Sequence, residues 1–189
     1  MSEPRVPLLT IDEALSRAEQ VGIDEQMARL SVFRVLLQHP TLAKRVCDLL
    51  LSLLSTDNKL NPRLRELLIM RIGWSTGSVY EWTQHWRVAT QMSIPDADIL
   101  AVRDWSNSDI LSNADKAILK ATDDVLQQGA ISADAWDQCC RYIESEAERV
   151  ELVVAIGNWG LFSQLLKSLN VPLEEGVGAW PPDGRAPNA

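Results

Sequence analysis

The sequence predicts an all-α protein of about nine helices, and three observations carry that reading. Apolar residues recur at three- and four-residue spacing along most of the chain. No window shows the alternation of period two that a half-buried strand needs. Capping residues, prolines and glycines punctuate the chain at helix-length intervals. Thr10-Ile11-Asp12-Glu13 is a capping box, so the first helix starts there and ends near Gly22. Asp24 opens a second, expected to run to Gln38 with Met27, Leu30, Phe33, Val35 and Leu37 apolar, until His39-Pro40 breaks it. A third spans about Thr41 to Leu54. Asn61-Pro62 supplies an N-cap and a proline in the first turn of a fourth, which ends between Gly73 and Gly77. The fifth covers about Ser78 to Met92. The sixth starts at Ser93-Ile94-Pro95-Asp96 and ends near Trp105. Asn113 is the expected cap of a seventh, stopped by Gly129, and Ser132 caps the eighth. A second capping box, Ser145-Glu146-Ala147-Glu148, begins the ninth, which reaches about Leu169 before Val171-Pro172. Residues 1–175 therefore read as one helical domain. Residues 176–189 are rich in Pro and Gly with no helix period, and read as an irregular tail, either a mobile end or an arm laid on a neighbour.

Composition narrows the function classes. The chain has 189 residues, enough for a well-buried core without staples. Eighteen basic against 26 acidic residues give a formal net charge of −8, which argues against general affinity for nucleic acid or anionic membrane. Apolar stretches such as Leu49 to Leu54, itself broken by Ser52, are far short of the roughly 20 residues a membrane span needs. Met1 to Thr10 has no apolar run followed by a small-residue cleavage site. There are two histidines, His39 and His85, and three cysteines, Cys47, Cys139 and Cys140. No C-x-x-C or H-x-x-x-H spacing exists, so no metal site is expected, and the odd cysteine count gives no disulfide framework. The expectation is a protein of the cytoplasm.

The segment Ser78 to Met92 carries the chemistry. On a helical wheel Ser78, Glu81, Trp82, His85, Ala89 and Met92 share one face. Thr83, Gln84, Arg87, Thr90 and Gln91 lie opposite with Tyr80, as the expected solvent face. Glu81 and His85, at i and i+4, thus meet inside the apolar stripe, with Ser78 one turn earlier. An inward ionisable group must be paired, hydrogen-bonded or neutralised. A carboxylate beside an imidazole raises the histidine pKa while burial lowers it, and the balance suits acid/base work near neutral pH. The alternative is a satisfied core pair that only ties helices together. The preceding helix is apolar on nearly every side from Leu64 to Trp74, which marks it as buried, yet it carries Glu66 and Arg71. These either join Glu81 and His85 in one polar pocket or form an ion pair that only orders the packing. The fork of Arg71 also suits a substrate carboxylate.

These residues carry a resemblance. The run from Leu60 to Arg71, then Gly77-Ser78-Val79-Tyr80-Glu81-Trp82-Thr83-Gln84-His85, Ala89 and Ile94-Pro95-Asp96-Ala97-Asp98-Ile99 are similar to the carboxymuconolactone decarboxylase family. Phe33-Arg34 and His39-Pro40 resemble the lead-in of its longer members, and Leu169-Asn170-Val171-Pro172-Leu173 their ending, so the likeness covers roughly residues 30 to 175. It implies the all-helical fold of the alkyl hydroperoxidase D proteins and a homo-oligomer. The hydroperoxidase branch uses a C-x-x-C pair followed by His, with an upstream Glu. Aligned on His85, the thiol positions here are Ser78 and Glu81 and the upstream acid is Glu66. Neither a hydroxyl nor a carboxylate can pass through a sulfenic acid to a disulfide. Cys139 and Cys140 are adjacent on a helix and point about 100° apart, and Cys47 is isolated, so they read as buried fillers.

The decarboxylase branch keeps Glu and His without the C-x-x-C and acts on a small γ-lactone carboxylate. The resemblance therefore implies a cofactor-free lyase, isomerase or lactone-processing enzyme on a small organic acid. His85 would move the proton, Glu81 would orient and tune the imidazole, and Glu66 would be a second acid. Ser78 and Arg71 would bind substrate, Trp74 and Trp82 would wall the pocket with Trp86, and no cofactor is implied. Where longer relatives carry an aromatic and a histidine in the last helix, this chain reads Asn158-Trp159-Gly160, which makes Asn158 the polar group there. The alternatives are a peroxide-reducing protein and a non-catalytic ligand-binding member of the fold.

Overall fold

A computed structural model describes residues 3–187. They form ten α-helices and one 3-10 helix, with no strand among the described residues. By backbone contacts the chain divides into two compact units, one of residues up to Asp57 with Gln164–Val177, the other of Asn58–Ser163 with the chain from Gly178 on.

The first unit contains α1 (Ile11–Val21), α2 (Glu25–Arg29), α3 (Ser31–Leu36) and α4 (Pro40–Leu54). The Thr10 capping box opens α1, and Gly22 closes it in the left-handed region at φ 70°. The single helix expected from Asp24 to Gln38 is two. Leu30 is extended (φ −69°, ψ 137°), which turns the chain and lets Val32, Phe33, Val35 and Leu36 all be buried. His39 is the N-cap of α4: its Nδ1 accepts the Leu42 N–H at 3.4 Å, and Pro40 occupies the first helical position. The segment after the last helix is tied within this unit by Arg5 N–H to Leu169 O (2.8 Å) and Ser31 N–H to the Glu174 carboxylate (2.9 Å).

The second unit contains α5 (Pro62–Thr76), α6 (Val79–Gln91), α7 (Asp96–Ala101), the 3-10 helix Val102–Asn107, α8 (Asn113–Gln128), α9 (Ala133–Tyr142) and most of α10 (Glu146–Ser168). Asn61 caps α5 through its side chain, and every residue from Arg65 to Met70 is buried, so α5 is the central helix of the unit. Gly73 does not end α5. It sits where a Cβ would lie 2.9 Å from the backbone nitrogen of Trp82, so only glycine lets α5 and α6 approach this closely. The stop comes at Gly77 (φ 68°). Ser112 rather than Asn113 caps α8, because its hydroxyl and the Asp115 carboxylate make a reciprocal capping box. Arg63 ties the helices together, donating to Asp98 (2.7 Å) and to Asp115 (2.5 Å).

Two faces differ from expectation. Tyr80 and Thr83, assigned to the solvent side of α6, are buried, while Met92 is exposed. The tail explains Thr83: the Trp180 N–H donates to its hydroxyl at 3.3 Å. The described tail from Gly178 on is laid on its own unit. Trp180 enters a cluster with Trp74 and Trp82 at ring-centroid distances of 6.1 and 6.2 Å, and the Trp82 indole N–H donates to Pro181 O at 2.7 Å. Arg103 spans the edge of this cluster, its guanidinium 4.6 Å from the Trp74 ring and paired through both terminal nitrogens with Asp183 (2.7 and 2.9 Å).

Candidate active site

The close approach at Gly73 brings the buried face of α5 against α6, and this sets Glu66 against His85. The Glu66 carboxylate, wholly buried, lies 2.8 Å from His85 Nδ1 and accepts from Arg65 Nε at 3.3 Å. Burial raises its pKa, but the imidazole and the Arg65 guanidinium outweigh that and hold it below the usual carboxylate range. Glu66, and not Glu81, is therefore the group that orients the imidazole.

Glu81 occupies the same face of α6, with Oε2 3.6 Å from His85 Nε2, too far for a hydrogen bond. Its pKa is pushed up to about 7, because burial outweighs the favourable charge of His85 and the nearby Glu66 adds repulsion. Burial pulls the His85 pKa down, while the charges of Glu66 and Glu81 and the Glu66 hydrogen bond more than offset this and raise it. One further contact acts against protonation. The indole N–H of Trp159, on α10, donates to His85 Nε2 at 3.0 Å, with the two rings edge to face at 5.8 Å. His85 keeps 13% of its side chain exposed, so the imidazole remains reachable.

The other candidates divide. Ser78 is the N-cap residue of α6, yet its Oγ makes no capping bond and is buried without a partner. Asn158 Nδ2, next to Trp159, is likewise buried and unpartnered. Each such group costs about 1–3 kcal/mol when left unsatisfied. Arg71 is not available to a substrate: it grips Asp123 through two nitrogens (2.7 and 2.8 Å) and donates to the carbonyls of Val102 and Arg103. Its role is to fasten α5 to α8 and the 3-10 helix, so neither a carboxylate anchor nor a Glu66 ion pair applies. Trp82 is fully buried, stacked on Trp86 at 6.2 Å and 5.3 Å from Trp74, in the cluster that the tail covers. Cys139 is buried with its thiol pushed up to about 11 by burial, and burial likewise raises Cys47. Among the described residues no group of three or more His, Cys, Asp and Glu is placed to hold a metal ion. No helix among them is long and apolar enough to cross a membrane.

Sequence reasoning missed Trp159 as a member of the site. Its signal lay in the buried stripe of α10, where Leu152, Ala155, Ile156, Trp159 and Phe162 repeat at helical spacing.

An all-helical protein with a buried Glu-His pair at a helix crossing defines the class. Residues 40–124 match the model of the carboxymuconolactone decarboxylase family. No curated protein matches the sequence. Solved structures share the alkylhydroperoxidase D-like fold. The Ralstonia eutropha JMP134 alkylhydroperoxidase AhpD core, an uncharacterized peroxidase-related protein, is 14% identical with a TM-score of 0.72, covering 93% of this chain and 94% of that one. An uncharacterized peroxidase-related protein from Silicibacter sp. TM1040 is 11% identical with a TM-score of 0.74, covering 94% and 97%. A variant of the debrominase Bmp8 in complex with 2,3,4-tribromopyrrole is 18% identical with a TM-score of 0.71, covering 93% and 94%. At these identities the likeness is one of fold.

Proposed function

We propose that the protein is a cofactor-free proton-transfer enzyme, a decarboxylase, lyase or isomerase acting on a small organic acid or lactone. The observation that supports this best is the buried Glu66–His85–Glu81 cluster, in which the carboxyl group nearest Nε2 has its pKa pushed up to about 7. In the step, Nε2 takes a proton from a carbon beside a carbonyl or carboxyl group. The C–H bond breaks, an N–H bond forms, and the electron pair moves into the adjoining carbonyl. Glu66 accepts the Nδ1–H throughout and stabilises the imidazolium. Ser78 and Asn158, with unsatisfied buried polar atoms, bind the oxygens of the substrate. A peroxide-reducing reaction would need a reactive thiol with a resolving partner: burial raises the thiol pKa of Cys47 and Cys139, and half-buried Cys140 stands in no C-x-x-C pair.

The test is turnover on a panel of small γ-lactone carboxylates and keto acids, with folding checked by circular dichroism. His85→Ala and Glu81→Ala are expected to lose on the order of 10²-fold or more while remaining helical. Full activity in both variants on an active substrate contradicts the reading. Peroxide consumption abolished by alkylating the cysteines would replace it.

A further inference from the structure

We propose that Trp159 is a positioning residue that holds His85 in its Nδ1–H tautomer and caps Nε2. A substrate then reaches the base only by displacing the indole N–H. The inference rests on the reading of His85 as the base, and it adds which nitrogen works and what guards it.

An indole nitrogen can only donate. Its 3.0 Å contact therefore requires a lone pair on Nε2, which in a neutral imidazole places the hydrogen on Nδ1. The contact at Nδ1 requires the same arrangement independently, because the Glu66 carboxylate beside it can only accept. Two bonds from two different helices thus select one tautomer. Glu81, 3.6 Å from Nε2, lies outside bonding distance.

Charge counting points the same way. With Glu81 carrying a proton and His85 neutral, the cluster holds one buried ion pair, Arg65 with Glu66. Moving that proton from Glu81 to Nε2 keeps the net charge but adds a second buried ion pair. It also sets the new N–H against the indole N–H. Trp159 is 1% exposed and fixed in the buried stripe of α10, so the capped arrangement is the resting one. Displacement selects for ligands that put a hydrogen of their own on Nε2: an enolic or hydroxyl O–H, or a C–H made acidic by a neighbouring carbonyl.

The test is ¹⁵N NMR of the histidine rings in the full chain. The sequence has two histidines, and His39→Ala, outside the site, leaves a single ring to assign. In the protein with Trp159 intact, His85 at pH 7 should show a protonated Nδ1 and an unprotonated Nε2. Trp159→Phe should let Nε2 take a proton at about tenfold lower proton concentration, a rise of about one pKa unit. Finding His85 as the Nε2–H tautomer, or doubly protonated, at pH 7 overturns the proposal without any Trp159 variant. So does an unchanged titration in a folded Trp159→Phe. Both readings are taken without turnover, so they stand or fall separately from the proposed reaction.

Discussion

His85 has two ring nitrogens with opposite duties, and the carboxylates divide accordingly. Glu66 acts on Nδ1 and Glu81 sits off Nε2. Replacing Glu66 by Gln removes the charge that supports an imidazolium. The His85 pKa should fall, and turnover should drop by about 10²-fold or more, with the helical spectrum kept; an unchanged titration by NMR would show that Glu66 does not tune the ring. Glu81 makes a stability prediction. Its folded pKa of about 7 lies above the ordinary carboxylate value, so the folded state binds the extra proton. That contribution is fully present below the unfolded pKa and is lost as pH rises through about 7. Glu81→Gln keeps the neutral shape at all pH. It should therefore be more stable than the parent at pH 8, by about 1–3 kcal/mol, and close to it at pH 4, as read by urea unfolding at both pH values. The meeting of Glu66, Glu81 and His85 was legible because the three lie within 20 residues on two adjacent helices. Arg71 was misread and Trp159 missed because their partners, Asp123 and His85, stand 52 and 74 positions away. Spacing within a segment carries no information about such partners.

Helix boundaries followed capping chemistry closely, because a cap is a local event. The boxes at Thr10 and Ser145, the Asn61-Pro62 start and the Gly22 and Gly129 stops all lie in the sequence itself. The break at Leu30 has no such mark: no proline or glycine stands there, and burial of α3 decides it. The face of α6 was misassigned at Tyr80 and Thr83 because the residues that cover that helix come from elsewhere in the chain. Gly73 read only as the start of the stretch, up to Gly77, in which the helix ends; its lack of a side chain also serves the α5–α6 crossing. Gly73→Ala should destabilise by about 1–3 kcal/mol through overpacking. It should also reduce activity more than a comparable loss of stability elsewhere, because pushing α6 outward lengthens the Glu66–His85 bond. A thermal melt together with the His85 titration checks this, and a variant with unchanged stability would show that the contact is not tight.

At the scale of the molecule, the tail is the least legible part. Pro and Gly content predicts irregular backbone but says nothing about where it lies. Trp180 and Asp183, placed on Trp74, Trp82 and Arg103, make it a cover for an aromatic cluster. Deleting residues 178–189 should expose Trp82, red-shift tryptophan emission and raise binding of an apolar dye; emission unchanged from the full chain would count against that role.

The most direct measurement is solvent deuterium incorporation into the panel acids and lactones in D₂O. The intact protein is expected to place deuterium on the carbon beside the carbonyl of its substrate, and folded His85→Gln is expected not to. Incorporation at the same rate in His85→Gln would contradict the claim that His85 moves the proton.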